Sequence, residues 1–259
     1  MSFNKYRRIY WSDIKLFLDC PCCFHIKHRY GLWRPQTPDT EESFGLYGVA
    51  DNLQKKEHNL FREWKLHPLV DDIADEPIDA IPFNDENNSI SRWQNHKEGL
   101  QFFDKNSNIL FCGIIDDVWI SSKNELIIVD YKTTTRDLAS IGDNDKYQVS
   151  FYSWVLKNST FVQNSSYTVS EIAYLLYYSV LKDGGTSFLP YNLKLEFKPS
   201  LVTCKINYNW IEGILSAIYE CLNADGAPAA NPRCNFCKYR QTYVRTLNQI
   251  SAGSTMKKF

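Results

Sequence analysis

The chain has 259 residues, 44% of them hydrophobic and 15% aromatic, with a formal net charge of -1. Those figures admit a substantial core and exclude global disorder. A near-zero charge also excludes nucleic-acid binding by bulk electrostatics, so any such role must rest on a local basic surface. The opening stretch MSFNKYRRIYWSD is too polar for a signal peptide, and no run approaches the roughly 18 apolar residues of a membrane span, so the chain reads as cytoplasmic, with no membrane contact.

Residues 12–28 begin with Ser12, a good N-cap, and place Ile14, Phe17 and Leu18 at helical spacing. Cys20 to Cys23 then fall near the middle of that helix or at a break made by Pro21. Residues 33–45, with Pro35 and Pro38, read as a loop, and residues 46–64 as a second amphipathic helix. Pro68, Pro77 and Pro82 make residues 66–98 an irregular connection with room for short strands. Residues 109–120 (ILFCGIIDDVWI) and 125–133 (ELIIVDYKT) are rich in β-branched and aromatic residues around the turn SSKN, which predicts a β-hairpin. Residues 144–157 form a helix with Tyr147, Phe151, Trp154 and Val155 on one side. Strands at 169–180 and 186–197 flank a turn at Gly184-Gly185. Residues 208–223 are helical, and a loop with Pro228 and Pro232 leads to Cys234-Asn235-Phe236-Cys237 and a short last helix. The order predicts an α/β fold, a mixed central sheet flanked by helices. It is read as one domain over 1–259, with its core at about 46–200 and cysteine-bearing end segments at 12–30 and 228–245.

The hairpin carries the chemistry. Asp116 is placed on its first strand, and Asp130 and Lys132, two apart on the second, project to one face. Carboxylates at the end of an apolar strand need a partner, and a divalent cation suits them, with the Tyr131 carbonyl as a further oxygen ligand. Phosphodiester hydrolysis needs an activated water and neutralised phosphoryl oxygens. Asp116 and Asp130 would hold Mg²⁺ or Mn²⁺, and Lys132 would orient or deprotonate the attacking water. Gln148 and Tyr152, four apart on the next helix, share a face and are placed to bind phosphate or fix the lysine. Asp117 points the other way and reads as a solvated or salt-bridged carboxylate.

Gly113-Ile114-Ile115-Asp116, Val129-Asp130-Tyr131-Lys132-Thr133 and the Gln148–Tyr152 pair resemble the motifs of the PD-(D/E)XK nuclease superfamily, and within it the RecB-like branch of helicase–nuclease and CRISPR-associated exonuclease domains. The resemblance implies a restriction-endonuclease-like core and a metal-dependent deoxyribonuclease of repair, recombination or CRISPR-type processing. It adds Asp51, in Gly48-Val49-Ala50-Asp51, as a metal ligand where a histidine is more common. Single-stranded or duplex DNA ends would be the substrate, and a helicase or other nuclease-complex protein a partner. The rival expectation is an inactive DNA-binding or scaffold subunit.

Five of the eight cysteines lie in two clusters near opposite ends of the chain. Cys20/Cys23 and Cys234/Cys237 are C-x-x-C pairs, and four thiolates suit either Zn²⁺ or a 4Fe-4S cluster, which would staple the two ends. The RecB-like resemblance implies the cluster, although its usual pattern is one cysteine plus three, against two plus two here. Both metals therefore stay open, beside a set of unligated packed thiols. Cys22 is a spare ligand, and Cys112, Cys204 and Cys221 are packed thiols. His25, Lys27, His28 and Arg29, then Lys55, Lys56 and His58, and Lys238 and Arg240 are read as phosphate contacts or solvated helix faces. Trp33, Trp64, Trp93 and Trp119 would stack on bases or pack in the core.

Overall fold

The computed structural model describes residues 6–35, 38–66, 73, 77–134, 142–180 and 196–251, with backbone alone over 38–47. The elements run β1 (Arg7–Tyr10), α1 (Trp11–Asp19), α2 (Pro21–Tyr30), α3 (Pro38–Trp64), β2 (Ile81–Pro82) and α4 (Ser89–Trp93). Then come β3 (Leu100–Asp104), β4 (Ile109–Gly113), β5 (Asp117–Ile120), β6 (Glu125–Thr134), α5 (Asp143–Asn158) and α6 (Thr160–Gln163). The chain closes with β7 (Thr168–Val169), β8 (Ile172–Val180), β9 (Phe197–Lys205), α7 (Ile211–Asn223) and α8 (Asn235–Ser251).

These elements divide into two compact units: one of residues 1–10 and 37–210, the other of 11–36 and 211–259. The first holds both sheets. In one sheet, β4 lies between β1, parallel to it, and β3, antiparallel. The larger sheet has the order β2-β5-β6-β8-β9, with β7 also paired to β6. It is mixed: β5 and β6 are an antiparallel hairpin, β6 and β8 are parallel, and β8 and β9 are antiparallel. A parallel pair needs a crossover, and α5 supplies it between β6 and β8. That explains the near-continuous burial of β6 and β8, which read as apolar runs rather than alternating ones. Trp119, Ile127, Val129, Tyr131, Tyr174 and Leu176 form one core cluster on this sheet. The expected α/β architecture, a mixed central sheet flanked by helices, is present.

Several local expectations change. The 109–120 run is two strands, not one, because the chain leaves the small sheet at Gly113, bends through Ile114-Ile115-Asp116 and enters the large sheet at Asp117. Two hydrogen bonds hold the bend: Ile115 N–H donates to the Trp93 carbonyl, and Gln94 Nε2 donates to the Asp116 carbonyl at 2.6 Å. Asp116 therefore sits on a bend and not on a strand. Helix α3 begins at Pro38, inside the expected loop, since proline fits the first turn of a helix. Pro21 does break the first helix, while Ser12 lies inside α1 and not before it. The last strand is Phe197–Lys205, later than expected, and the Gly184-Gly185 turn lies outside the described residues. The final helix, expected to be short, has 17 residues.

Candidate active site and cysteine cluster

In the larger unit, β6 delivers Asp130 and Lys132 to one face, as their spacing demands. Asp130 is buried to 2% exposure. Its Oδ2 pairs with Lys132 Nζ at 2.5 Å, and its Oδ1 accepts from Gln148 Nε2 at 3.0 Å. Lys132 Nζ donates in turn to Gln148 Oε1 at 2.9 Å, and Gln148 Nε2 also reaches the Tyr152 hydroxyl at 3.2 Å. A primary amide donates and accepts at once, so Gln148 can bridge a carboxylate and an ammonium where neither Glu nor Lys can. Burial pushes the Asp130 carboxyl up to about 7; Lys132 opposes this and Asp116 adds to it. For Lys132, burial alone lowers the pKa, but the charges of Asp130, Asp116 and Asp145 outweigh it, and the net direction is up. Asp145 completes the rim, 3.9 Å from Lys132 Nζ and hydrogen-bonded by the Tyr177 hydroxyl at 2.8 Å.

Asp116 is held by β6 itself: its Oδ2 accepts from the Tyr131 backbone N–H at 2.9 Å. Its Oδ1 lies 2.9 Å from Lys55 Nζ, which is also 2.9 Å from Asp51 Oδ2. One ammonium thus bridges Asp51 and Asp116. Burial would lower the Lys55 pKa, yet the two carboxylates, Asp116 foremost, raise it. The sequence reads Lys55 as a phosphate contact or part of a solvated helix face; the structure pairs it with two carboxylates, and its position one turn after Asp51 on α3 places those two side by side. The three carboxylates do not gather as tightly as a formed metal site: among the described residues, the one group of three or more potential ligands whose atoms all lie within 4.8 Å of one another is made of cysteines. The donor set still fits a hard divalent cation in kind, because carboxylate oxygens of Asp51 and Asp116 already share one positive charge and Asp130 lies in electrostatic reach of Asp116.

Asp117 is not solvated. It is fully buried, ion-paired to Arg62, and accepts from the Tyr131 hydroxyl at 2.7 Å and the Trp119 indole N–H at 3.4 Å. Tyr131 thus divides its roles: its backbone N–H holds Asp116, and its ring and hydroxyl serve the core. His58 is buried as well, stacked on the Tyr131 ring at 4.4 Å and bonded to the Tyr178 hydroxyl, so it meets neither phosphate nor solvent. Trp93 and Trp119 are buried, whereas Trp33 and Trp64 are exposed.

The smaller unit holds the clustered cysteines. Cys20, Cys23, Cys234 and Cys237 are all buried and all free. Their sulfurs meet at 3.7 Å (Cys20–Cys237), 3.6 Å (Cys23–Cys234) and 3.5 Å (Cys23–Cys237). Burial raises the Cys20 thiol, but backbone N–H groups of Asn231 and Cys23 and the neighbouring sulfurs more than offset it and bring it down to about 7. Cys22 packs against the cluster. Cys112, Cys204 and Cys221 are buried singly, as expected of packed thiols. The basic stretch of α2 is only partly a surface: His25 is buried with Nδ1 on the Cys221 carbonyl, and Lys27 and His28 are tied to Asp13. Arg29 is exposed, as is Lys238.

No curated protein matches the chain. Among solved structures, one titled "Crystal structure of SSO0001" aligns at 14% identity and a TM-score of 0.41, over 94% of this chain and 86% of that one. No helix among the described residues is long and apolar enough to cross a membrane. The family model of the PD-(D/E)XK nuclease superfamily matches residues 11–242, a span that takes in Asp116, Asp130-Tyr131-Lys132, Gln148 and all four clustered cysteines, and the chain belongs to that superfamily.

Proposed function

We propose that the chain is a metal-dependent deoxyribonuclease of the RecB-like type, with its active site on β6 and α5. The observation that carries this reading is the closed ring Asp130–Lys132–Gln148, with Tyr152 bonded to Gln148, set beside an Asp116 that β6 holds by its own backbone. Asp116 and Asp130 are the residues to hold Mg²⁺ or Mn²⁺, with Asp51 and the Tyr131 carbonyl as further oxygen donors. Bound there, the ion would act as Lewis acid on the phosphoryl group and lower the pKa of a water.

The side chains supply the rest. Lys132 presents an ammonium that orients the attacking water and stabilises charge on the phosphoryl oxygens. Gln148 fixes that ammonium by accepting from it while donating to Asp130. Tyr152 supports Gln148 from one helical turn away, so its role is positioning. Exonuclease action on DNA ends and a helicase-type partner follow from the RecB-like reading alone.

A second reading, a DNA-binding or scaffold protein without turnover, draws on Lys55, whose ammonium already neutralises Asp51 and Asp116. A nuclease assay on single- and double-stranded DNA with Mg²⁺ or Mn²⁺ separates the two. Metal-dependent cleavage is expected, falling roughly 10²–10⁴-fold in Lys132→Ala. Equal activity in that variant sinks the mechanism, and DNA binding without cleavage by the unaltered chain favours the scaffold.

A further inference from the structure

The two C-x-x-C pairs are one local device used twice. Cys20 directly precedes α2 and Cys234 directly precedes α8, and the carbonyl of each accepts a first helical bond, from Phe24 and Lys238 respectively. Cys23 and Cys237 then fall in the first turn of the same helices. Each pair thus presents its two sulfurs together at a helix N-terminus. The sulfurs are too far apart for disulfides, which need about 2.0 Å.

Size discriminates among the remaining occupants. A single ion with tetrahedral arms of about 2.3 Å to sulfur sets its ligands about 3.8 Å apart. The three close separations here are 3.5, 3.6 and 3.7 Å, and no pair exceeds 4.8 Å. A four-iron cube places a separate iron under each thiolate, so it must hold the sulfurs wider apart than one shared ion does. The 4Fe-4S cluster implied by the RecB-like resemblance does not fit this spacing.

Charge points to an ion as well. Four thiolates around a dication carry a net charge of about -2. Arg34 is set against them: Nη2 donates to Cys234 Sγ at 3.4 Å, Nη1 pairs with Asp19 at 2.5 Å, and the guanidinium lies 4.7 Å from the Phe236 ring centroid. Asp19 and Phe236 orient the guanidinium, and the one cation among the described residues that touches a sulfur of the cluster is thereby aimed at Cys234. We propose that Cys20, Cys23, Cys234 and Cys237 hold one tetrahedral zinc ion in place of an iron–sulfur cluster, and that Arg34 is its charge partner.

The test is elemental analysis and acid-labile sulfide assay of the whole chain, purified anaerobically from cells supplied with both iron and zinc. One zinc per chain, no sulfide and a colourless protein are expected, and Co²⁺ exchanged into the site gives the intense visible bands of a tetrahedral thiolate complex. Iron with sulfide in equal amounts, one iron without sulfide, or no metal at all each overturns the assignment. Cys23→Ser and Cys237→Ser are expected to lose the ion while Cys22→Ser keeps it. Should the first two fail to fold, a mercurial added to the unaltered chain must release one zinc to a chromogenic chelator, and release of none overturns the site. Arg34→Met keeps the stoichiometry but weakens zinc affinity roughly 10–100-fold; unchanged affinity overturns the role of Arg34.

Discussion

Two adjacent aspartates have opposite fates, and the difference is one of direction alone. Asp116 reaches the backbone of β6 and the Lys55 ammonium, while Asp117 is sealed in the core with Arg62. Breaking a buried pair by removing one partner leaves an uncompensated charge and costs about 3–5 kcal/mol. Asp117→Asn is therefore expected to lower the thermal midpoint markedly, whereas Asp116→Asn keeps the fold and loses cleavage. Denaturation curves beside activity assays decide it, and equal stability in both variants contradicts the division. Lys55 makes a further residue-level claim. Because its ammonium occupies the space between Asp51 and Asp116, a cation bound there must displace it. The pair is part-exposed, worth about 1 kcal/mol, so Lys55→Met should tighten Mn²⁺ binding about fivefold. Calorimetric titration showing equal or weaker binding removes the competition.

At the scale of elements, the glycine of one motif and the tyrosine of another prove to be one contact. A Cβ added to Gly113 would lie 3.0 Å from the Tyr152 ring. Gly113 ends β4 where the chain changes sheets, and α5 packs across β3, β4, β6 and β8 with Tyr152 lying on that glycine. Gly113→Val is expected to cost about 1–3 kcal/mol by overpacking, and to disturb Gln148 through Tyr152. Tyr152→Ala should relieve part of that cost, giving a coupling energy of about 0.5–3 kcal/mol in a double-mutant cycle. Strict additivity would show that the two motifs act separately. This contact also marks where sequence reading stops. Spacing alone placed Asp130 with Lys132 and Gln148 with Tyr152, because periods of two and four are built into strand and helix. It could not tell that β4 and β5 belong to different sheets, since both are apolar and β-branched whichever neighbour they pair with. Nor could it find Arg62, Gln94 or Arg34, whose partners Asp117, Asp116 and Cys234 are distant in sequence.

For the whole molecule, the division of the chain explains why a metal would sit at its ends. The smaller unit is built from two segments, 11–36 and 211–259, separated by residues 37–210 of the sheet-bearing unit. Closing so long a loop is entropically unfavourable, and one ion holding Cys20 and Cys23 to Cys234 and Cys237 offsets that cost by crosslinking the segments. The pairing of the two C-x-x-C motifs was legible from their count and spacing, but the choice of metal was not, because it depends on sulfur separations that only the fold sets. Removing the ion should therefore act regionally. Hydrogen exchange followed by mass spectrometry, before and after chelation, is expected to show lost protection in α1, α2, α7 and α8. The amides of β6 and β8 should keep theirs, since their hydrogen bonds and core cluster lie in the other unit. Uniform loss across both units would mean that they unfold as one, and no loss anywhere would mean that the thiols hold the segments by packing alone.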